Sequence, residues 1–511
     1  MASLGWAVRA IQGLHPWVVK GRGNCVTSHL RFLLAVAIGF AAIQAFATSS
    51  VPVPQVTGPI AAPDTPGTPS HNYIFFASNH DLPAHGYVEE EFFIKGTAKT
   101  YNIPTDHTTG TVEKSGQPYF TRIVVRRPAD PKRFNGTVLV EWDNVTNLFD
   151  AENTWFFSWE HIMRSGYVWV GVSPQTIGVA ALKKWSPQRY GALDVGEMDA
   201  SAAGPSSDRD AASFDIFSQA GQALRHPASV DMLGGLKPKL FLAIGESQSA
   251  ARLATYVNTV QPTARVYDGF LLLSALGQRI RGDLIAPVMK VDTEYDVVAG
   301  EATVRQPDTA KFRTWEVAGT SHVDQHLRAS REPLELRDNG VSLEANLSPL
   351  CAVPLIGTRV PTTYVLASAL DKLALWAADG PPPPSAPRLT ITQVMPRPAP
   401  SIVARDRDGL AEGGIRLSQV AVPTQINVGS SKPAHSDNGP SREAIGAGAC
   451  VRWGDSLDMS LDQLNAHYPS HAAYVAEVRR VTEDNVKKGY ILPVDAQTTI
   501  REAEESRVGE H

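Results

Sequence analysis

Eight short runs of strand-forming residues between positions 88 and 318 constrain this chain more than any other feature. Val88–Lys95 (VEEEFFIK) and Tyr119–Arg127 (YFTRIVVRR) come first, with little helical pattern between them. Gly136–Trp142 (GTVLVEW), Gly166–Ser173 (GYVWVGVS), Pro238–Ile244 (PKLFLAI), Tyr267–Ser274 (YDGFLLLS), Ile285–Asp292 (IAPVMKVD) and Phe312–Ala318 (FRTWEVA) follow. Runs that are apolar at consecutive positions suit strands buried on both faces, as in a parallel sheet covered by helices. Helical patterns lie between some of them, around Thr154–Arg164 and Ala250–Thr259. The alternation predicts an α/β architecture: a mostly parallel eight-stranded sheet, antiparallel at its start, with helices on both faces.

The chemistry-bearing motif sits inside this series. Gly245-Glu246-Ser247-Gln248-Ser249-Ala250 follows the run PKLFLAI directly and opens the helical stretch AARLATYVNTV. A tight strand-to-helix turn with small neighbours exposes a serine Oγ, which makes Ser247 the candidate nucleophile. Ser249 stands where the second glycine of G-x-S-x-G would be and is still small enough for close strand–helix approach. His322, in the Gly-Thr-Ser loop just past FRTWEVA, is the candidate general base, preferred over His326 because it lies closer to the strand end. The acid belongs after the preceding strand, where Asp296 is preferred by position and Glu294 is the alternative. An oxyanion hole would take the backbone N–H of Gln248 and a second donor from the loop after the third run, with Asn144 the candidate. The order serine, acid, histidine is that of the α/β-hydrolase fold.

The runs VLVEWDNVT and GESQSA, with the later WAADGPPPPSAPRL and DGLAEGGIRL, resemble the large secreted α/β-hydrolase-domain proteins of bacteria. The resemblance extends from about residue 70 into the C-terminal region. It implies the fold, carries Ser247, His322 and an acid in the Glu294–Asp296 loop onto this chain, and implies an esterase of undefined substrate. It also implies that the C-terminal block packs with the catalytic core.

Residues 1–47 read as a signal peptide: Arg9, Lys20, Arg22 and Arg31 precede the apolar Phe32–Phe46 stretch, which ends in Ala-Phe-Ala. A secreted or periplasmic location follows, with membrane attachment only if that segment is retained. Residues 48–70 are rich in Pro, Thr and Ser and read as a flexible lead-in; 71–330 form the catalytic core and 331–511 a C-terminal cap or extension. Tyr364–Ala378 has helical spacing and a firm stop at Gly380–Pro384. Cys351 and Cys450 are candidates for a bridge in an oxidising compartment, the alternative being two buried thiols.

An apolar fraction of 43% against 19% charged residues supplies a sizeable core. A net charge of -5, without a long single-sign run, gives no nucleic-acid footprint. Gly234-Gly235 stands alone and no Cys/His cluster is present in the sequence, so neither cofactor nor metal is implied. The expected function is hydrolysis of a small-molecule carboxylic ester, or a lactone, through an acyl-serine. The same residues can serve an amidase or peptidase, and a hydrolase fold that binds without catalysis is the reading from another class.

Overall fold

The computed structural model describes residues 51–196, 210–347, 351, 355–430 and 450–510. The signal-like segment lies outside them. Among the described residues no helix is long and apolar enough to cross a membrane.

Nine strands form the main sheet: β1 (Gln55–Thr57), β2 (Tyr87–Tyr101), β3 (Val112–Pro128), β4 (Thr137–Trp142), β5 (Val168–Val172), β6 (Leu240–Glu246), β7 (Gly269–Leu273), β8 (Val288–Thr293) and β9 (Phe312–Val317). Their spatial order is β1-β2-β3-β5-β4-β6-β7-β8-β9. The first three strands and the β3–β5 pair are antiparallel, and every pair from β5 to β9 is parallel. All eight expected runs are strands of this sheet. The ninth, β1, corrects the expected count of eight and lies in the stretch read as a flexible lead-in. Val56 at its centre is buried, and its backbone pairs with Phe93–Lys95. Three residues are too few for composition to reveal, because the partner strand's edge holds them rather than any pattern of their own.

Helices cover both faces. Successive residues of a strand point to opposite sides, and Glu141 and Trp142 of β4 display this. Glu141 accepts backbone N–H bonds from Thr154 and Trp155 at the start of the helix Asn153–Arg164. Trp142 packs on Phe214 and Phe217 of the helix Ser213–Arg225. The helix Gln248–Thr259 joins the second face, where the Ser218 and Tyr256 hydroxyls are 2.9 Å apart.

The C-terminal block is woven into the same body. The helix Thr362–Ala377 lies against β7 and β8 and buries Val365, Leu366, Leu370 and Leu373. Ile415 forms a parallel bridge with Val317, prolonging the sheet edge by one rung. Cys351 and Cys450 are joined by a disulfide, with Cα atoms 5.6 Å apart.

Candidate functional site

The site forms at the carboxyl ends of β6, β8 and β9, where a parallel sheet opens its crevice. Ser247 follows β6 directly and adopts φ 57°, ψ -117°. A left-handed φ on a serine is costly, and the surroundings hold it there. Its N–H bonds to the Leu273 carbonyl at 2.9 Å, and helix Gln248–Thr259 starts at the next residue. At Gly245 the missing side chain lets strand and helix approach closely, since a Cβ there would stand 3.1 Å from both Leu253 and Ser249. Ser249 does more than fit. Its hydroxyl donates to the Glu246 carbonyl at 2.8 Å and accepts from the Glu246 N–H at 3.0 Å, closing the turn from inside.

His322 Nε2 lies 2.8 Å from Ser247 Oγ, and its Nδ1 lies 2.8 Å from Asp296 Oδ1. All three residues are buried. The imidazole is carried on the loop after β9, where Gly319 turns at φ 72° and Thr320 Oγ1 donates to the Val317 carbonyl at 2.7 Å. Tyr295 packs edge-on against the imidazole, with ring centroids 5.7 Å apart. His326 points elsewhere, toward Glu160 at 3.4 Å, beside a second cavity of about 560 Å³ that contains neither Ser247 nor His322.

The two candidate acids part company by geometry. Asp296 occupies the first turn of the helix Glu294–Ala299 rather than an open loop. Thr293 caps that turn: its Oγ1 accepts from the Asp296 N–H at 3.3 Å and donates to Asp296 Oδ2, leaving Oδ1 for His322. Glu294 does not touch the imidazole. Its carboxylate accepts from Gly319 N–H at 2.8 Å and Gly429 N–H at 3.2 Å and pairs with Arg405 at 2.7 Å, tying the histidine loop to the C-terminal block.

Burial opposes charge on every member, and partners decide the outcome. For Asp296 the nearby His322, with bonds from His322, Ser274 and Thr293, overcomes burial and holds the carboxyl below the usual range. For His322 the Asp296 and Glu246 carboxylates outweigh burial and the repulsion of Arg452, raising its pKa above the ordinary 6.5.

The Gln248 N–H, at the first position of its helix, has no acceptor within that helix. Asn144 lines the cavity, but its donors are engaged. Its backbone N–H bonds to the Ala151 carbonyl at 2.9 Å, and its side-chain amide donates to the Glu246 carbonyl at 2.8 Å and to Glu246 Oε2 at 3.3 Å. Both the backbone and side-chain N–H groups of Asn144, the expected second donor, are thus already bonded, whereas the neighbouring Val145 N–H has only a long bond of 3.4 Å to Gln248 Oε1.

A cavity of about 510 Å³ opens over Ser247 and His322. Leu148, Val323, Leu327, Leu343, Leu347 and Trp453 form its apolar wall. Arg331 on that wall is neutralised by Glu335 at 3.0 Å and Glu344 at 2.8 Å. Arg452 also lines it and hydrogen-bonds Tyr295. Sequence reasoning missed Glu246, Asn153, Arg452 and Trp453. Glu246 stood in the quoted motif, but only the folded turn brings its carboxylate within 3.2 Å of His322 Nε2.

A serine hydroxyl, an imidazole and a carboxylate in one hydrogen-bonded line can move a proton from Oγ to Nε2 while the oxygen attacks an electrophile. The sequence profile of the family described as alpha/beta hydrolase domain matches residues 56–501. Among solved structures, esterase Est22 is similar at 13% identity, covering 51% of this chain and 81% of that one, with a TM-score of 0.30. Acetyl xylan esterase 1 from Thermoanaerobacterium sp. JW/SL YS485 is 10% identical over 45% of this chain and 77% of that one, TM-score 0.28. Dienelactone hydrolase from Anabaena variabilis is 10% identical over 48% of this chain and 96% of that one, TM-score 0.26. A search of curated proteins finds no significant match.

Proposed function

The chain belongs to the α/β hydrolase domain family, and from that premise we infer that it hydrolyses a carboxylic ester, open-chain or lactone, through an acyl-serine intermediate. The observation that carries the reading is the line Ser247 Oγ, His322 Nε2, His322 Nδ1, Asp296 Oδ1, with both hydrogen bonds at 2.8 Å. Ser247 Oγ attacks the ester carbonyl carbon as its proton passes to His322 Nε2. The oxyanion forms against the Gln248 N–H and the Val145 N–H. The C–O bond to the alcohol then breaks, and Nε2–H gives its proton to the leaving oxygen. Water, deprotonated by the same nitrogen, attacks the acyl carbon and releases the acid and Ser247.

The apolar wall of Leu327, Leu343, Leu347 and Trp453 favours a small-molecule ester with a hydrocarbon portion. The signal-like N-terminus and the Cys351–Cys450 disulfide support a secreted or periplasmic protein.

A fluorophosphonate reagent and a series of p-nitrophenyl esters of graded chain length test this reading. Wild type is expected to be labelled and to turn over esters, and Ser247→Ala to do neither. A folded Ser247→Ala protein that keeps more than a few per cent of activity sinks the assignment.

A further inference from the structure

We propose that Glu246 is a positioning residue for proton transfer, a second carboxylate that accepts a hydrogen bond from the Nε2–H of His322 once the imidazole is charged. The inference rests on the hydrolytic reading of Ser247 and His322 given above. Glu246 ends β6 immediately before the nucleophile, so the turn that fixes Ser247 fixes it too. Its side chain is 2% exposed. Two amides aim its carboxylate: Asn153 Nδ2 donates to Oε2 at 2.8 Å and Asn144 Nδ2 at 3.3 Å. Asn144 is itself oriented, because its Oδ1 accepts from the Thr146 N–H at 2.8 Å. With Oε2 held, Oε1 faces His322 Nε2 at 3.2 Å, the same nitrogen that Ser247 Oγ approaches at 2.8 Å.

This placement matters differently before and after the proton moves. At rest, Nδ1–H donates to Asp296 and Nε2 presents a lone pair to the serine hydroxyl. A carboxylate oxygen facing that lone pair gains nothing, and burial raises the Glu246 carboxyl above its usual range, an effect that a charged His322 opposes. When Oγ bonds to the acyl carbon its proton sits on Nε2, and an N–H of a cation now faces Oε1. An interaction made only in the charged state lowers the barrier, whereas one made in both states does not. Asp296 contacts Nδ1 throughout; Glu246 answers only the transferred proton. That proton stays on Nε2 until the leaving oxygen takes it, and Glu246 ends each step as it began. The other charged groups around the pair are Asp296, Arg452 and Arg331, with Tyr295 packed on the imidazole.

The test compares wild type, Glu246→Gln and Glu246→Asp. It uses pH profiles of p-nitrophenyl acetate hydrolysis, an NMR titration of His322, and thermal melts. Glu246→Gln keeps the size of the side chain and removes its charge. It is expected to lower the acid-limb pKa by about one unit and kcat by about tenfold, with KM nearly unchanged. Glu246→Asp, with its charge drawn back by one methylene, is expected to shift the limb in the same direction by less, and it serves alone if the glutamine variant does not fold. An unmoved acid limb and an unmoved His322 titration in either folded variant overturn the inference, even if kcat falls. A wild type that neither hydrolyses esters nor takes the fluorophosphonate label overturns the hydrolytic reading, and this one with it.

Discussion

Thr293 decides which carboxylate serves His322. By capping the helix Glu294–Ala299 it points Asp296 inward, and the neighbouring Glu294 is left to staple backbone amides. Asp296→Asn is therefore expected to lower turnover by about 10⁴ in a protein that melts near wild type, because the imidazole loses its tautomer. Glu294→Gln should instead cost on the order of 2–3 kcal/mol of stability, since charge-assisted bonds to Gly319, Gly429 and Arg405 weaken together. Steady-state rates and chemical denaturation on both variants check this, and a larger rate loss in Glu294→Gln would reverse the assignment. The pH dependence has a definite sign. His322 must be neutral to accept the serine proton, and its pKa lies above 6.5. Activity is thus expected to fall, as pH is lowered, at a higher pH than an ordinary histidine would give. At this scale the sequence order exposed Ser247, His322 and the choice between two acids, because chain position determines which strand end carries each. It did not expose Glu246 or the commitment of Asn144's donors, which depend on side chains that meet only across the turn.

The parallel strands were legible because β4 to β9 are short, apolar and wholly buried or nearly so, a pattern few other elements share. The β2–β3 hairpin was legible only in part. Its strands span 15 and 17 residues, but their distal halves are rich in Lys, Thr and Gly, and that of β3 is exposed throughout, so the apolar signal stops early. Within β3, Arg126 is fully buried between Trp155 and Trp169, each ring centroid 4.5 Å away, and pairs with Glu89 at 2.6 Å and Glu152 at 2.5 Å. Removing it would strand two carboxylates, so Arg126→Ala is expected to cost about 3–5 kcal/mol in urea denaturation. A loss below 1 kcal/mol would mean that water reaches the pair. The loop after β9 is equally tight. A Cβ on Gly319 would lie 2.7 Å from Val420, at a φ of 72°. Gly319→Ala should therefore displace His322 and lower kcat, a change that kinetics at saturating substrate would detect.

Across the whole molecule, the distinction between core and C-terminal block has less physical content than the sequence suggests. The Cys351–Cys450 bond closes a loop of 99 residues between two walls of the cavity over Ser247, Leu343–Leu347 and Arg452–Trp453. Replacing both cysteines by serine is expected to lower stability by about 2–5 kcal/mol and to raise KM, as the walls lose their tether. Unchanged melting in the double variant would contradict this. Export can be checked separately: mass spectrometry of protein from periplasm or medium should find an N-terminus near Thr48.

The histidine loop has a consequence for how the protein comes into being. Ala318 N–H bonds to the Ile415 carbonyl, Ser321 N–H to Thr358, and Val323 N–H to the Arg452 carbonyl, while Gly429 N–H reaches Glu294. Every one of these partners is made after the loop itself. On a ribosome, a nascent chain can hold Ser247 and His322 while the scaffold that aligns them has yet to emerge. Alignment of the pair is thus deferred until Arg452 has been delivered, and a product that stops short of it lacks the bond that holds Val323.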